Sequence, residues 1–176
     1  MTHPTDAELR TGLLACLAVP RWVDDVTRRA PYSSLDALID VARSAASPLS
    51  PAEVDEALAD HPRIGEKHAG AGRSSAFSAS EQASSQSSDE MLAAALLDGN
   101  RAYEQRFGRV FLIRAAGRSR AEILAELHRR LELDDETESF VVGSELREIA
   151  LLRIRSLFAP AFDDASAARP TEEKTE

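Results

Sequence analysis

The stretch ESFVVGSELREIALLRIRSLF, residues 138–158, decides the fold class. At about 100° per residue, Val142, Leu146, Ile149, Ala150 and Leu157 fall within roughly 60° of Arg153, while Arg155 points the opposite way. One apolar stripe sustained over so many turns predicts a helix across residues 135–158. Such a stripe must be covered by other elements, and the rest of the chain offers helices to cover it.

Working outward, helical spacing recurs over residues 5–18, 33–46, 50–60, 80–106 and 119–131, with a short helix near Trp22 to Arg29. Three of these open with a capping box: Thr5 with Glu8, Ser50 with Glu53, and Ser119 with Glu122. In each, the hydroxyl and the carboxylate reciprocally satisfy backbone N–H groups that the first turn leaves orphaned. Pro20, Pro31, Pro48 and Pro62 are expected between helices, where a missing N–H does little harm. The strand-like run VFLIRAA, residues 110–116, is too short and isolated to build a sheet and reads as an extended connector after Gly108. The expected fold is therefore all-α, a single-domain bundle of about six to eight helices. Residues 1–165 form the domain in this reading and 166–176 a polar tail; residues 74–88, with eight serines, read locally as a linker.

A chain of 176 residues suits one core. Its formal charge of −9 argues against nucleic acid or an anionic membrane surface as the main partner, leaving small molecules and proteins. No run approaches the ~18 apolar residues of a membrane span, and the first residues lack the pattern of a secretory leader, so a cytoplasmic protein is expected. The single cysteine, Cys16, excludes an intramolecular disulfide and a cysteine metal cluster, and its apolar neighbours GLLACLAV predict burial.

The stretch DHPRIGEK, residues 60–67, is the first candidate for chemistry. A residue before proline is pushed out of the helical region, which puts His61 just beyond a helix C-terminus, where the dipole favours a protonated imidazole. Gly65 then lets the chain turn. Capping alone would also explain this histidine. In SASEQ, residues 78–82, Glu81 can close a capping box with Ser78, or stand ionised at a helix N-terminus facing an imidazole; the two roles are compatible. Arg153, centred in its apolar stripe, requires a carboxylate from the protein or from a ligand. Its planar guanidinium suits bidentate binding of that group. In NRAYEQRFGRVFLI, residues 100–113, Asn100, Tyr103 and Phe107 share a helix face. Beyond Gly108 the backbone of residues 111–117 is free of helix bonding and could grip an imide or urea edge, while the side chains of Phe107, Phe111 and Ile113 read as core.

Other signals are weaker. His61, Glu66 and His68 are residue types that bind metal, but their spacing is not H-E-x-x-H. No G-x-S-x-G, Walker or dinucleotide-binding loop is present. His128, in the last turn of its helix beside two arginines, reads as a solvated cation, and His3 lies in a terminus expected to fray.

HPRIGEK, SASEQ twenty residues on, NRAYEQRFGRVFLI, and EIALLRI in the final helix together resemble the 2-oxo-4-hydroxy-4-carboxy-5-ureidoimidazoline (OHCU) decarboxylase family over nearly the whole chain. The resemblance implies an all-α, cofactor-free, usually dimeric enzyme that performs the last step from urate to (S)-allantoin. It places His61 at the position of the family's catalytic histidine, Glu81 at that of its glutamate, and Arg153 at that of its substrate-binding arginine. Pro62, Ser78, Gln82, Phe111, Ile113, Arg114, Ala115 and Gly117 fall in the regions that line the family's substrate pocket. Phe77 stands where many relatives carry Trp, and Arg114 where many carry a small residue or Cys, which bears on the pocket wall. If Ser78 to Gln82 line a pocket, residues 68–76 read as a mobile loop near its mouth instead of a linker. The terminal EEKTE is no peroxisomal tripeptide, in keeping with a cytoplasmic enzyme. Two competing classes are a non-catalytic interaction protein of the same fold and a metal-dependent hydrolase built on His61, Glu66 and His68. The expected partner is the small-molecule substrate OHCU, with a homodimer implied by the resemblance and neither nucleic acid nor membrane.

Overall fold

The computed structural model describes residues 4–59 and 90–167. Seven helices lie among these residues, and no strand: α1 (Asp6–Cys16), α2 (Pro20–Thr27), α3 (Leu35–Ala45), α4 (Pro51–Leu58), α5 (Glu90–Phe107), α6 (Arg120–Leu131) and α7 (Asp135–Ala167). The 33-residue α7 is the axis of the fold. Helices α1, α3 and α4 pack against it, α2 bridges α1 and α3, and α5 lies along α6. All three capping boxes form in both directions, at the starts of α1, α4 and α6. Ser34 caps α3 by accepting from the Ala37 N–H at 3.1 Å, and Asp134 caps α7 by accepting from the Thr137 N–H at 2.8 Å.

Two helix limits differ from the sequence expectation. Pro20 does not lie between helices but occupies the first turn of α2, where its fixed φ is preorganised and no N–H is needed. Helix α7 does not stop at 158 but runs through Pro160 to Ala167. Interior proline costs about 3 kcal/mol of helix stability; here Phe158 and Phe162, on either side of Pro160, both pack against the main core and hold the backbone helical.

The interior is divided into two clusters. The larger joins α1 to α4 to the inner face of α7 around Trp22, Leu13, Leu38, Val142 and Ile154, all fully buried. Trp22 Nε1 donates to the Ala42 carbonyl at 2.9 Å, so its polar atom is not stranded. At Gly12 a Cβ would lie 2.5 Å from Phe158 Cζ, so a larger residue there would require the Phe158 and Leu157 side chains of α7 to move. The smaller cluster lies between α5 and α6, around Tyr103, Ile123 and Leu127.

Glu53, the capping residue of α4, also accepts from Arg21 Nε of α2. The Arg21 guanidinium, aided by the Ser50 backbone and hydroxyl, outweighs burial and pulls the Glu53 carboxyl from its ordinary 4.5 down to about 2. A carboxyl depressed in the folded state stabilises fully above its unfolded value and loses that contribution as pH falls through the folded value. The stability difference between wild type and Glu53→Gln is therefore expected to persist from neutral pH to about 4.5 and to fade toward about 2. Urea titrations at several pH values read this directly, and a difference unchanged at pH 2 would rule the coupling out.

Candidate active site

Arg153 lies five residues before the end of the stretch 138–158, and the structure buries it to 2% exposure, with Val142, Leu146, Ile149 and Ala150 equally enclosed. Leu157, at the far end of the same stripe, is 40% exposed, so the stripe leaves the core one turn beyond the arginine. Arg155 is exposed and faces Asp36, as its helical phase requires. Arg153 Nη1 donates to the Cys16 carbonyl at 3.3 Å. Cys16 is the last residue of α1, and its carbonyl is among those a helix C-terminus leaves without an intrahelical partner. The guanidinium therefore sits at the negative end of the α1 dipole, which favours its charge in an apolar setting. Cys16 is buried, as its neighbours in sequence imply.

The connector after α5 is the second component. Gly108 ends α5 with φ +67° and donates its N–H to the Glu104 carbonyl at 2.9 Å, a left-handed helix cap; Gly117, at φ +79°, turns the chain toward α6. Between them the chain is extended and forms no strand pair. Its side chains alternate: Val110 and Leu112 enter the larger cluster, whereas Phe111, Ile113 and Ala115 enter the smaller. The connector is a partition, with a core on each face.

Its backbone is less free than helical bookkeeping alone suggests. The Leu112 carbonyl accepts from Arg130 Nη1 at 2.7 Å, and the Arg114 N–H donates to Glu145 Oε2 at 2.7 Å. Nearer the turn, the Ala115 carbonyl accepts from the Arg118 N–H at 3.0 Å and the Ala116 carbonyl from Arg114 Nη1 at 3.4 Å. Among the described residues, the N–H and carbonyl groups of Phe111 and Ile113 themselves form no hydrogen bond, although both residues are nearly fully buried. Buried backbone groups are almost always paired, so this edge calls for a partner.

A buried ionic network underlies the connector. Arg130 and Glu138 are both 0% exposed and form an ion pair, with Arg130 Nε lying 2.9 and 3.1 Å from the two carboxylate oxygens. The Tyr103 hydroxyl donates to the same carboxylate. The Arg130 guanidinium also stacks 4.8 Å from the Phe111 ring centroid. Burial opposes the charge on Arg130, but Glu138 more than offsets it and the guanidinium is held above its usual value. Burial, reinforced by the bond to Glu138, pushes the Tyr103 hydroxyl above its ordinary range. Reading the sequence missed this pair, although Arg130 continues the i, i+4, i+7 stripe of Ile123 and Leu127. Its neighbours His128 and Arg129 are exposed, as expected of a last helical turn.

Of the residues singled out in the sequence, Asn100, Tyr103 and Phe107 do share a buried face of α5. Phe111, Ile113, Arg114, Ala115 and Gly117 lie along the connector or its turn, and Arg153 at the end of α1. The described hydrogen bonds tie Arg153 to α1, and the connector to α6 and α7. His61, Pro62, Glu66, His68, Phe77, Ser78, Glu81 and Gln82 lie outside the described residues. Helix α4 ends at Leu58, close before His61. Among the described residues no helix is long and apolar enough to cross a membrane, and no group of three His, Cys, Asp or Glu side chains is placed to hold a metal ion.

The OHCU decarboxylase family model matches residues 3–155, which takes in α1 to α6, the connector and α7 through Arg153. The chain belongs to the OHCU decarboxylase family. Its fold agrees with two solved structures. A crystal structure of OHCU decarboxylase in the presence of (S)-allantoin superposes with a TM-score of 0.71 at 24% identity, over 89% of this chain and 99% of that one. A crystal structure of (S)-allantoin synthase superposes with a TM-score of 0.65 at 18% identity, over 88% of this chain and 51% of the other, so this OHCU decarboxylase family member corresponds to about half of that protein. No curated protein matches the chain in sequence.

Proposed function

We propose that this OHCU decarboxylase family member converts 2-oxo-4-hydroxy-4-carboxy-5-ureidoimidazoline to (S)-allantoin in urate catabolism without a cofactor, acting as a cytoplasmic homodimer. The observation that carries the reading is the family match over residues 3–155, which includes each of the three residues assigned to chemistry.

The substrate carries a carboxylate and a hydroxyl on one ring carbon, next to an imine carbon bearing the ureido group. When the bond to the carboxylate breaks, CO2 leaves and the electron pair forms a double bond between the two ring carbons as the imine nitrogen takes a proton. The resulting enol loses its hydroxyl proton, and the ureido-bearing carbon gains one, which gives allantoin. The substrate is its own electron sink. The protein has to hold the carboxylate, move protons, and allow protonation from one face only.

In this reading Arg153 holds the anionic carboxylate, a role suited to a buried guanidinium fork in apolar surroundings. His61 handles the proton at the hydroxyl-bearing carbon, and Glu81 orients either the imidazole or a substrate N–H. Pro62, Ser78 and Gln82 line the pocket. The connector from Phe111 through Gly117 offers peptide groups to the ureido and ring amides, in keeping with the unpaired edge at Phe111 and Ile113. The deciding experiment is circular dichroism of substrate freshly generated from urate by uricase and hydroxyisourate hydrolase, followed with chelator present. Rapid appearance of a single allantoin enantiomer is expected. Slow racemic product, equal to that without protein, would overturn the reading and favour an interaction protein; activity abolished by the chelator would favour the metal hydrolase.

A further inference from the structure

In an extended segment, the N–H and C=O groups of residues two apart point to the same edge, and those of the residue between point to the other. The Leu112 carbonyl and the Arg114 N–H therefore lie on one edge of the connector, and both are held by charged side chains. Arg130 of α6 grips the first at 2.7 Å and Glu145 of α7 grips the second at 2.7 Å. Arg130 is itself fixed by Glu138 and fully buried. Glu145, whose side chain is 15% exposed, also reaches Arg118 beyond the Gly117 turn at 3.7 Å. The opposite edge carries the N–H and carbonyl groups of Phe111 and Ile113, which form no hydrogen bond among the described residues.

We infer that Glu145, with Arg130 as its counterpart, is a positioning residue: by clamping one edge of the connector from α7, it fixes the angle at which the Phe111 and Ile113 peptide groups are presented to the substrate. Glu145 does not touch the reacting atoms in this account. It acts through the Arg114 N–H, which shares one planar peptide unit with the Ile113 carbonyl on the opposite edge, and restricts the connector to a single presentation. The enol can then be protonated from one side only, because the ring amides and ureido group cannot rock in place. The inference rests on the decarboxylase reading and on the connector lining its pocket.

The test compares wild type, Glu145→Ala and Glu145→Gln, with enzyme in excess so that spontaneous substrate decay contributes little. Glu145→Ala is expected to lower kcat/KM by about 10- to 100-fold and to erode the enantiomeric ratio of the allantoin. Glu145→Gln, which retains an acceptor oxygen for the Arg114 N–H, is expected to restore both. A role confined to folding would lower the amount of active protein without changing the enantiomeric ratio. A folded Glu145→Ala with wild-type rate and selectivity would overturn the inference, as would a Gln variant no better than Ala. Amide exchange on the wild type gives a reading that no variant's failure to fold can obscure: the Arg114 amide should be protected in the free protein, and the Ile113 amide should gain protection on adding (S)-allantoin. An unchanged Ile113 amide would overturn the inference too. An inactive wild type, in contrast, would bring down the decarboxylase reading itself and the inference with it.

Discussion

Replacing His61 with asparagine is expected to reduce kcat by about 10²- to 10⁴-fold, the range associated with loss of a positioned proton-transfer group. Asparagine fills similar space and retains hydrogen-bonding atoms, but it cannot take up and release a proton near neutral pH. The expectation rests on the resemblance carried by HPRIG, on the family match over residues 3–155, which spans His61, and on the end of α4 at Leu58, three residues earlier in the chain. Far-UV circular dichroism and Tm close to wild type would show that the loss lies in the chemistry and not in the fold. Activity should fall with the imidazole and not with the amount of folded protein. A folded His61→Asn enzyme retaining more than a tenth of the wild-type rate would remove His61 from the centre of the mechanism.

The largest expected loss of stability comes from Glu138→Ala. This substitution leaves Arg130 charged in a site where both partners are 0% exposed, and it strips the Tyr103 hydroxyl of its acceptor. Removing one member of a buried ion pair costs about 3–5 kcal/mol, because the remaining charge is left uncompensated. At ~2–4 °C per kcal/mol for a protein of this size, Tm should fall by about 6–20 °C. The double variant Arg130→Met with Glu138→Leu should recover only part of this. It removes the stranded charge but leaves the Leu112 carbonyl and the Tyr103 hydroxyl without their partners. Thermal melts of both variants decide the matter: a Glu138→Ala protein melting within 2–3 °C of wild type would mean that Arg130 finds compensation elsewhere.

Where the sequence was informative, single helical faces carried the information. The stripe through Arg153 predicted its burial, and the S/T-x-x-E spacing located three helix starts, because both patterns are local and set by backbone geometry. The partner of Arg153 was not legible in the same way: Cys16 lies 137 residues away, and nothing local pairs them. The last helix was expected to end at 158, because the packing of Phe158 and Phe162 that carries it through Pro160 is tertiary and leaves no local signal. Arg130 escaped notice because arginine in a last helical turn ordinarily faces water, although its position continues the Ile123 and Leu127 stripe. The connector was read as a segment outside any sheet, and it forms no strand among the described residues. Its alternation was hidden, since a segment with a core on both faces shows a continuous apolar run where a half-buried one shows apolar and polar residues in turn.

A segment without regular secondary structure is usually where a protein accepts insertions and drifts in sequence. The connector between Gly108 and Gly117 is irregular in form, but its middle, Phe111 to Ile113 with Ala115, is buried, since it separates two interiors and is bonded along one edge. Lengthening it by one residue would exchange the side chains of the two interiors and release the bonded edge as well. In the history of this chain, therefore, this piece of coil is expected to have changed as slowly as the helices around it, with substitutions on one face answered by the interior that faces it.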